Sequence, residues 1–185
     1  MAESLRGRRE LLERVLEPWL KGGIHHVGST AIPGIAAKPV IDIVAGVAGF
    51  EEARAAFEPL GQESYVSDPH RPGIAHHFAK PSRRLPEMMY GLHLTEEGSD
   101  LWRERLAFRD ALRGDADLTA EYEALKFRLS HEHPDDLEAY THGKRAFVTG
   151  SERLWHACWQ VSAFSPVVGS GRWPAAALPQ ATLSP

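Results

Sequence analysis

The sequence predicts an α+β fold, a small mixed sheet backed by a helical C-terminal half. Up to about Leu94 the apolar residues come in short, β-branched runs punctuated by Gly and Pro. From Ser99 onward they recur at helical spacing. Strands first and helices later is the order of an α+β domain, not of an alternating one. At 185 residues, 43% apolar and 25% charged, the chain has the length and composition of one globular domain. We expect that domain over residues 1–160, with 161–185 as a disordered or loosely packed tail.

Ser4 is placed to cap a first helix, whose Leu5, Leu12, Val15, Leu16 and Trp19 fall near helical spacing. Lys21-Gly22-Gly23 is expected to end it, and Ile24–Val27 to form a short strand. Pro33, Gly34 and Pro39 forbid a long helix between Thr30 and Lys38. Val40–Val47, "VIDIVAGV", is almost wholly apolar and predicts a buried central strand. A short helix over 51–60 follows, then strands over 63–67, 73–80 and 88–94. Leu101, Trp102, Leu106, Phe108 and Leu112 mark the first of the later helices. Leu118, Tyr122, Leu125 and Leu129 give the next a one-face stripe. A third helix spans Asp135 to about Trp159, with a break at Gly143 or Gly150. The Pro-, Ala- and Ser-rich stretch after it has no periodicity.

The formal charge of -4 gives no reason to expect nucleic-acid binding. Cys158 stands alone, which excludes an intrachain disulfide and a cysteine-based zinc site. The charged N-terminus, "MAESLRGRRE", does not look like a signal peptide, and no apolar run is long enough for a membrane span. A cytoplasmic protein is the expectation.

The informative stretch is "HHVGSTAIPGIAAKPVIDIVAGV", His25 to Val47. Glycine before serine at a strand end lets backbone N–H groups and the Ser29 hydroxyl approach a phosphate. Asp42 lies inside an apolar strand, where an unpaired charge would be costly. Such a carboxylate binds a cation, pairs with a base such as Lys38 or an Arg, or lies at a ligand site. The spacing alone does not choose among these.

"HHVGSTAIPGIAAKPVIDIV" resembles the signature of the GrpB family, a branch of the nucleotidyltransferase superfamily. The segment running from "LHLTEEGSDLW" to "YTHGKRAFV" is similar to that family's second block. The two matches cover roughly Ile24 to Val148 in order. GrpB-like domains occur alone and fused to dephospho-CoA kinase. The resemblance implies a nucleotidyltransferase-like mixed sheet with flanking helices. It also implies phosphate contacts from Gly28, Ser29 and Thr30, and a metal, Mg²⁺ or Mn²⁺, on Asp42 with His93. By the same match Arg109 of "FRD", Lys126 of "YEALK" and Lys144 of "YTHGK" become phosphate-neutralising candidates, and Lys38 joins them. Superfamily enzymes usually carry a second carboxylate two residues after the first, where this chain has Val44. The lead-in to His93 reads "MYG", unlike the family's Thr-His-Asn-like one, and the usual opening strand has no clear counterpart before Glu10.

The implied activity is transfer of a nucleotidyl group from an NTP, expected to be ATP, to a small acceptor. Asp42 and His93 would be the catalytic pair. A nucleotide- or CoA-pathway-binding module without catalysis is the alternative that Val44 favours. A metal-dependent phosphohydrolase using His93, His76 or His77 is the third reading. Adjacent His76 and His77 must face opposite sides of a strand, so at most one of them serves a site. His25 and His26 are expected in structural roles, and His131 and His133, at a helix end before Pro134, to cap the helix or face solvent.

Overall fold

The computed structural model describes residues 2–68, 73–81 and 89–150. The expected tail and the far end of the third helix lie outside these residues. A first helix, α1 (Ala2–Leu16), leads into strand β1 (Leu20–Val27) and a single 3₁₀ turn at Ser29–Ala31. Strand β2 (Val40–Val47) follows. A 3₁₀ segment at Glu52–Ala56 then runs into α2 (Phe57–Gln62). Strands β3 (Val66–Ser67), β4 (His76–Pro81) and β5 (Met89–Glu96) complete one five-stranded sheet in the order β1-β2-β5-β4-β3. Only β2 and β5 are parallel. The α+β class is therefore as the sequence predicts.

Several boundaries differ for local reasons. Helix α1 starts at Ala2, so Ser4 lies inside it rather than capping it. It ends at Leu16, ahead of Pro18, and Lys21-Gly22-Gly23 belong to β1 instead of terminating the helix. The pairing of β1 with β2 slips between Leu20 and Gly23, and this bulge admits the two glycines. The strand expected over 63–67 shrinks to Val66–Ser67 because Ser64 takes a positive φ of 63°.

Four helices follow: α3 (Asp100–Gly114), α4 (Ala116–Glu132), α5 (Leu137–Gly143) and α6 (Arg145–Gly150). The side chains of Ser99, Asp115 and Asp136 accept from the third backbone N–H of α3, α4 and α5 respectively. The break expected at Gly143 is present. A Cβ there would meet Leu129 at 2.6 Å, so glycine lets α5 close onto α4.

The sheet has two unlike faces. Ile41, Ile43, Ala45 and Val47 of β2 join Ile24, Phe78, Tyr90, Leu92 and Leu94 in one apolar layer. Leu12 and Leu16 of α1 and Leu60 of α2 close over it. The opposite face carries Asp42, Val44, Gly46, Gly91 and His93 under α3, by the strand alternation. A second apolar cluster, Ile32, Ala111, Leu112, Leu118 and Tyr122, joins the 28–40 loop to α3 and α4.

Candidate active site

On the face under α3, glycine decides what fits. A Cβ at Gly46 would stand 2.8 Å from Trp102 Nε1 and from the Gly22 Cα, so the two glycines seat the indole. The carboxylate of Asp42 is seated in the same way. A Cβ at Gly28 would lie 2.4 Å from its Oδ2, and one at Gly91 would lie 2.9 Å from its Oδ1. Gly28 also has a φ of 73°, which permits the turn from β1 into Ser29. Asp42 is half-buried between two strands that have no side chain where its oxygens lie.

The 28–40 loop is held against α3 and α4 by its own backbone. Thr30 Oγ1 donates to the Val40 carbonyl (2.9 Å), and His26 Nε2 hydrogen-bonds the same hydroxyl (3.0 Å). Arg109 Nη1 donates to the His26 carbonyl (3.2 Å), and Arg113 Nε to the Ala31 carbonyl (2.9 Å). Burial, then Arg113 and Arg109, hold the His26 imidazole below its usual pKa. Glu123 accepts from the Ala36 N–H (2.8 Å), while Lys126 Nζ donates to the Ala36 carbonyl. Lys126 is only 7% exposed and takes its place in the buried stripe of α4 beside Tyr122.

These bonds divide the basic residues singled out in the sequence. Arg109 grips Asp110 through two bonds (2.7 and 2.9 Å) as well as the His26 carbonyl, so it anchors the end of β1. Lys126 anchors the loop itself, at Ala36. Lys38 and Lys144 are placed differently: their Nζ atoms lie 5.1 and 4.2 Å from the centre of the Tyr140 ring. Burial first, then Lys126, Lys38 and Arg105, push the Lys144 pKa down, while Asp42 raises it. Tyr122, on α4, lies near the Ser29 side chain. Burial raises its pKa, and Asp42 and Tyr140 add to the rise. Tyr122 had looked like an ordinary core residue, because its stripe spacing is the same whether or not its hydroxyl has a task.

Ser29, Asp42, Tyr122 and Lys144 thus come together, with Lys38 at the rim. His93 lies two residues beyond Gly91, the cross-strand partner of Asp42, and so shares its face. Its ring packs against His77, centroids 4.5 Å apart. Among the described residues no group of three or more His, Cys, Asp or Glu side chains is arranged to hold a metal. Val44, where a second carboxylate would stand, is fully buried. A cleft of about 590 Å³ opens at the other end of β2 and β5, and Glu51, Glu52, Glu96 and Asp100 are among its lining residues. Its charge repels phosphate, so the Asp42 end is the one suited to an anion.

His25 Nε2 bonds the Gly22 carbonyl (2.7 Å), and His131 Nδ1 bonds the Phe127 carbonyl (2.9 Å). His133 follows α4 as its C-cap. These are the structural roles expected for them. No helix among the described residues is long and apolar enough to cross a membrane.

The profile of the GrpB protein family matches residues 2–153. Over 153 residues the chain is 33% identical to the UPF0157 protein YqkA of Bacillus subtilis, covering 82% of this chain and 43% of that one. It is also 30% identical over 152 residues to the glutamate-rich protein GrpB of Alkalihalophilus pseudofirmus, covering 76% of this chain and 82% of that one. The chain thus spans less than half the length of YqkA. The crystal structure of conserved protein GrpB from Enterococcus faecalis superposes with a TM-score of 0.71 at 24% identity, over 86% of this chain and 93% of that one. It shares the fold.

Proposed function

The chain belongs to the GrpB family, and from that premise we propose that it is a metal-dependent nucleotidyltransferase. It moves a nucleotidyl group from an NTP, ATP first, to a small acceptor. The observation that supports this reading is the placement of Lys144, with Lys38, Lys126 and Arg105 around it, in the field of Asp42 beside the Gly28-Ser29 turn. The desolvated ammonium groups of Lys144 and Lys126, together with the Asp42 carboxylate, suit a ligand that brings negative charge together with a metal ion.

The residues fit a magnesium or manganese ion through one carboxylate. Mg²⁺ commonly takes only one or two protein carboxylates and draws its other ligands from substrate phosphate and water. An imidazole is a poor donor for such hard ions, so the proposal assigns the metal to Asp42 alone and leaves His93 packed on His77. When bound, the metal supplies polarisation of the α-phosphate. Ser29 and the N–H groups after Gly28 orient the phosphates. Lys144 and Lys38 offset their charge. Thr30, Arg113 and Lys126 keep the loop that carries Lys38 in place, and Arg109 holds the strand end before it. Catalysis here is positioning and charge stabilisation.

A second reading, a nucleotide-binding module without transfer, draws on the buried Val44. Isothermal titration of ATP with and without Mg²⁺, against wild type and Asp42→Asn, tests the shared site. Mg²⁺-dependent binding that disappears in a folded Asp42→Asn variant is the expected result. No binding to wild type, or equal binding to both proteins, overturns it. Pyrophosphate release then separates transferase from binder.

A further inference from the structure

Two tyrosine-lysine pairs of the same spacing meet the 28–40 loop. Tyr122 and Lys126 lie four residues apart on α4, and Lys126 Nζ sits 5.2 Å from the Tyr122 ring centre. Tyr140 lies on α5 and Lys144 follows as its C-cap, with Nζ 4.2 Å from the Tyr140 ring centre. Residues four apart meet on one side of a helical turn, so each pair is set by local structure. Gly143 completes the second pair: without a Cβ it lets α5 close against Leu129 of α4.

What the two ammonium groups find there differs. Lys126 has an acceptor, the Ala36 carbonyl, and is spent on holding the loop. Lys144 instead meets a second cation, because Lys38 Nζ lies 5.1 Å from the same Tyr140 ring centre. Among the described residues neither Lys38 nor Lys144 has a carboxylate within ion-pair distance. Lys38 comes from the loop and Lys144 from the far end of α5, so the fold, not the local helix, gathers these like charges. They repel one another, and an exposed ring offers each only a modest attraction. An anion with several acceptor oxygens turns that repulsion into binding. Lys144 lies in the fields of both Asp42 and Lys38, and so joins the carboxylate to the rim of the site.

We propose that Tyr140 is a positioning residue, whose ring mounts Lys144 and Lys38 as one grip on the phosphates of the nucleotide; this rests on the nucleotide reading of the Asp42 site. An ammonium has three N–H groups. The negative face of the ring draws each lysine from one side, and the remaining N–H groups donate to phosphate oxygens. The ring makes no contact with the phosphates itself and acts through the two lysines.

Titration of Mg·ATP against a set of folded variants tests this. Tyr140→Phe keeps the ring and should bind within about twofold of wild type, whereas Tyr140→Leu should bind roughly tenfold more weakly. In a Lys144→Gln background the same Tyr140→Leu change should cost only about threefold, because one of the two groups it positions is gone. A residue that merely supports the fold would lose as much in either background. Wild-type affinity in Tyr140→Leu, an equal loss in Tyr140→Phe, or an undiminished loss in the Lys144→Gln background overturns the proposal and leaves the nucleotide site standing. A wild type that fails to bind Mg·ATP removes both. Should Tyr140→Leu not fold, the free wild type decides by NMR. The ε-methylene protons of Lys38 and Lys144 should be shifted upfield by the ring, and random-coil positions for both overturn the proposal.

Discussion

The two faces of this sheet are built from the same strands and obey opposite rules. Under α1 and α2 the sheet is filled mainly by apolar side chains, and Leu92, Leu94, Ile43 and Phe78 are all within 1% of complete burial. Under α3 the same strands carry Asp42 and His93 beside Gly46 and Gly91, and Asp42 has its place because Gly28 and Gly91 have no side chain there. One face stores stability through close packing. The other holds a carboxylate and two histidines, polar groups that cost stability to bury unless they are partnered.

Substitutions sharpen that contrast. Leu92→Ala, on the packed face, should lose about 3 kcal/mol in denaturant unfolding, within the range for buried leucines. If it retains Mg·ATP binding while folded, the faces are separable; loss of binding in the folded state would break the comparison. Gly91→Ala puts a methyl in the open face, against Asp42 Oδ1, and overpacking of that size costs about 1–3 kcal/mol. Here the larger effect should be on the ligand, with Mg·ATP binding weakened more than its stability change accounts for.

Lys144→Gln should be the mildest for the fold. Binding of ATP should fall by about tenfold, roughly 1.4 kcal/mol, with unfolding little changed. The pH dependence of stability gives its sign. The folded-state pKa of Lys144 lies below the usual 10.5, so just under that value the unfolded chain binds more protons and stability rises with pH. Lys126 is lowered too, by burial, and acts the same way. Replacing Lys144 should flatten that alkaline rise, and an unchanged slope would show that its ammonium is not desolvated.

The sequence made one face far more legible than the other. The β2 run and the leucine stripes announce the packed layers, because burial of apolar groups has a period that can be counted. Gly28, Ser29 and Asp42 were visible because a charge inside an apolar strand is conspicuous. The division of labour among Arg109, Lys126, Lys38 and Lys144 was not visible. It depends on which backbone carbonyls the loop turns toward the helices, and no spacing encodes that. His77 was half legible: alternation said it would oppose His76, but only the pairing of β4 with β5 sets it beside Gly91. The helix boundary at Leu16 was not legible because Gly22 and Gly23 look like a stop, whereas here they lie in the β1 bulge, where Gly22 makes room for the Trp102 indole.

The bonds from α3 and α4 to the 28–40 loop join residues 82 to 90 positions apart in the chain. Contacts of that separation close long loops and bear a large entropy before they are rewarded. The β2–β5 pair can form without them, whereas the geometry around Ser29 and Lys38 waits for α3 and α4 to dock. Presentation of this site is therefore a late event of folding, and a chain cut before α3 would keep the strands that carry Asp42 and lose the loop that faces it.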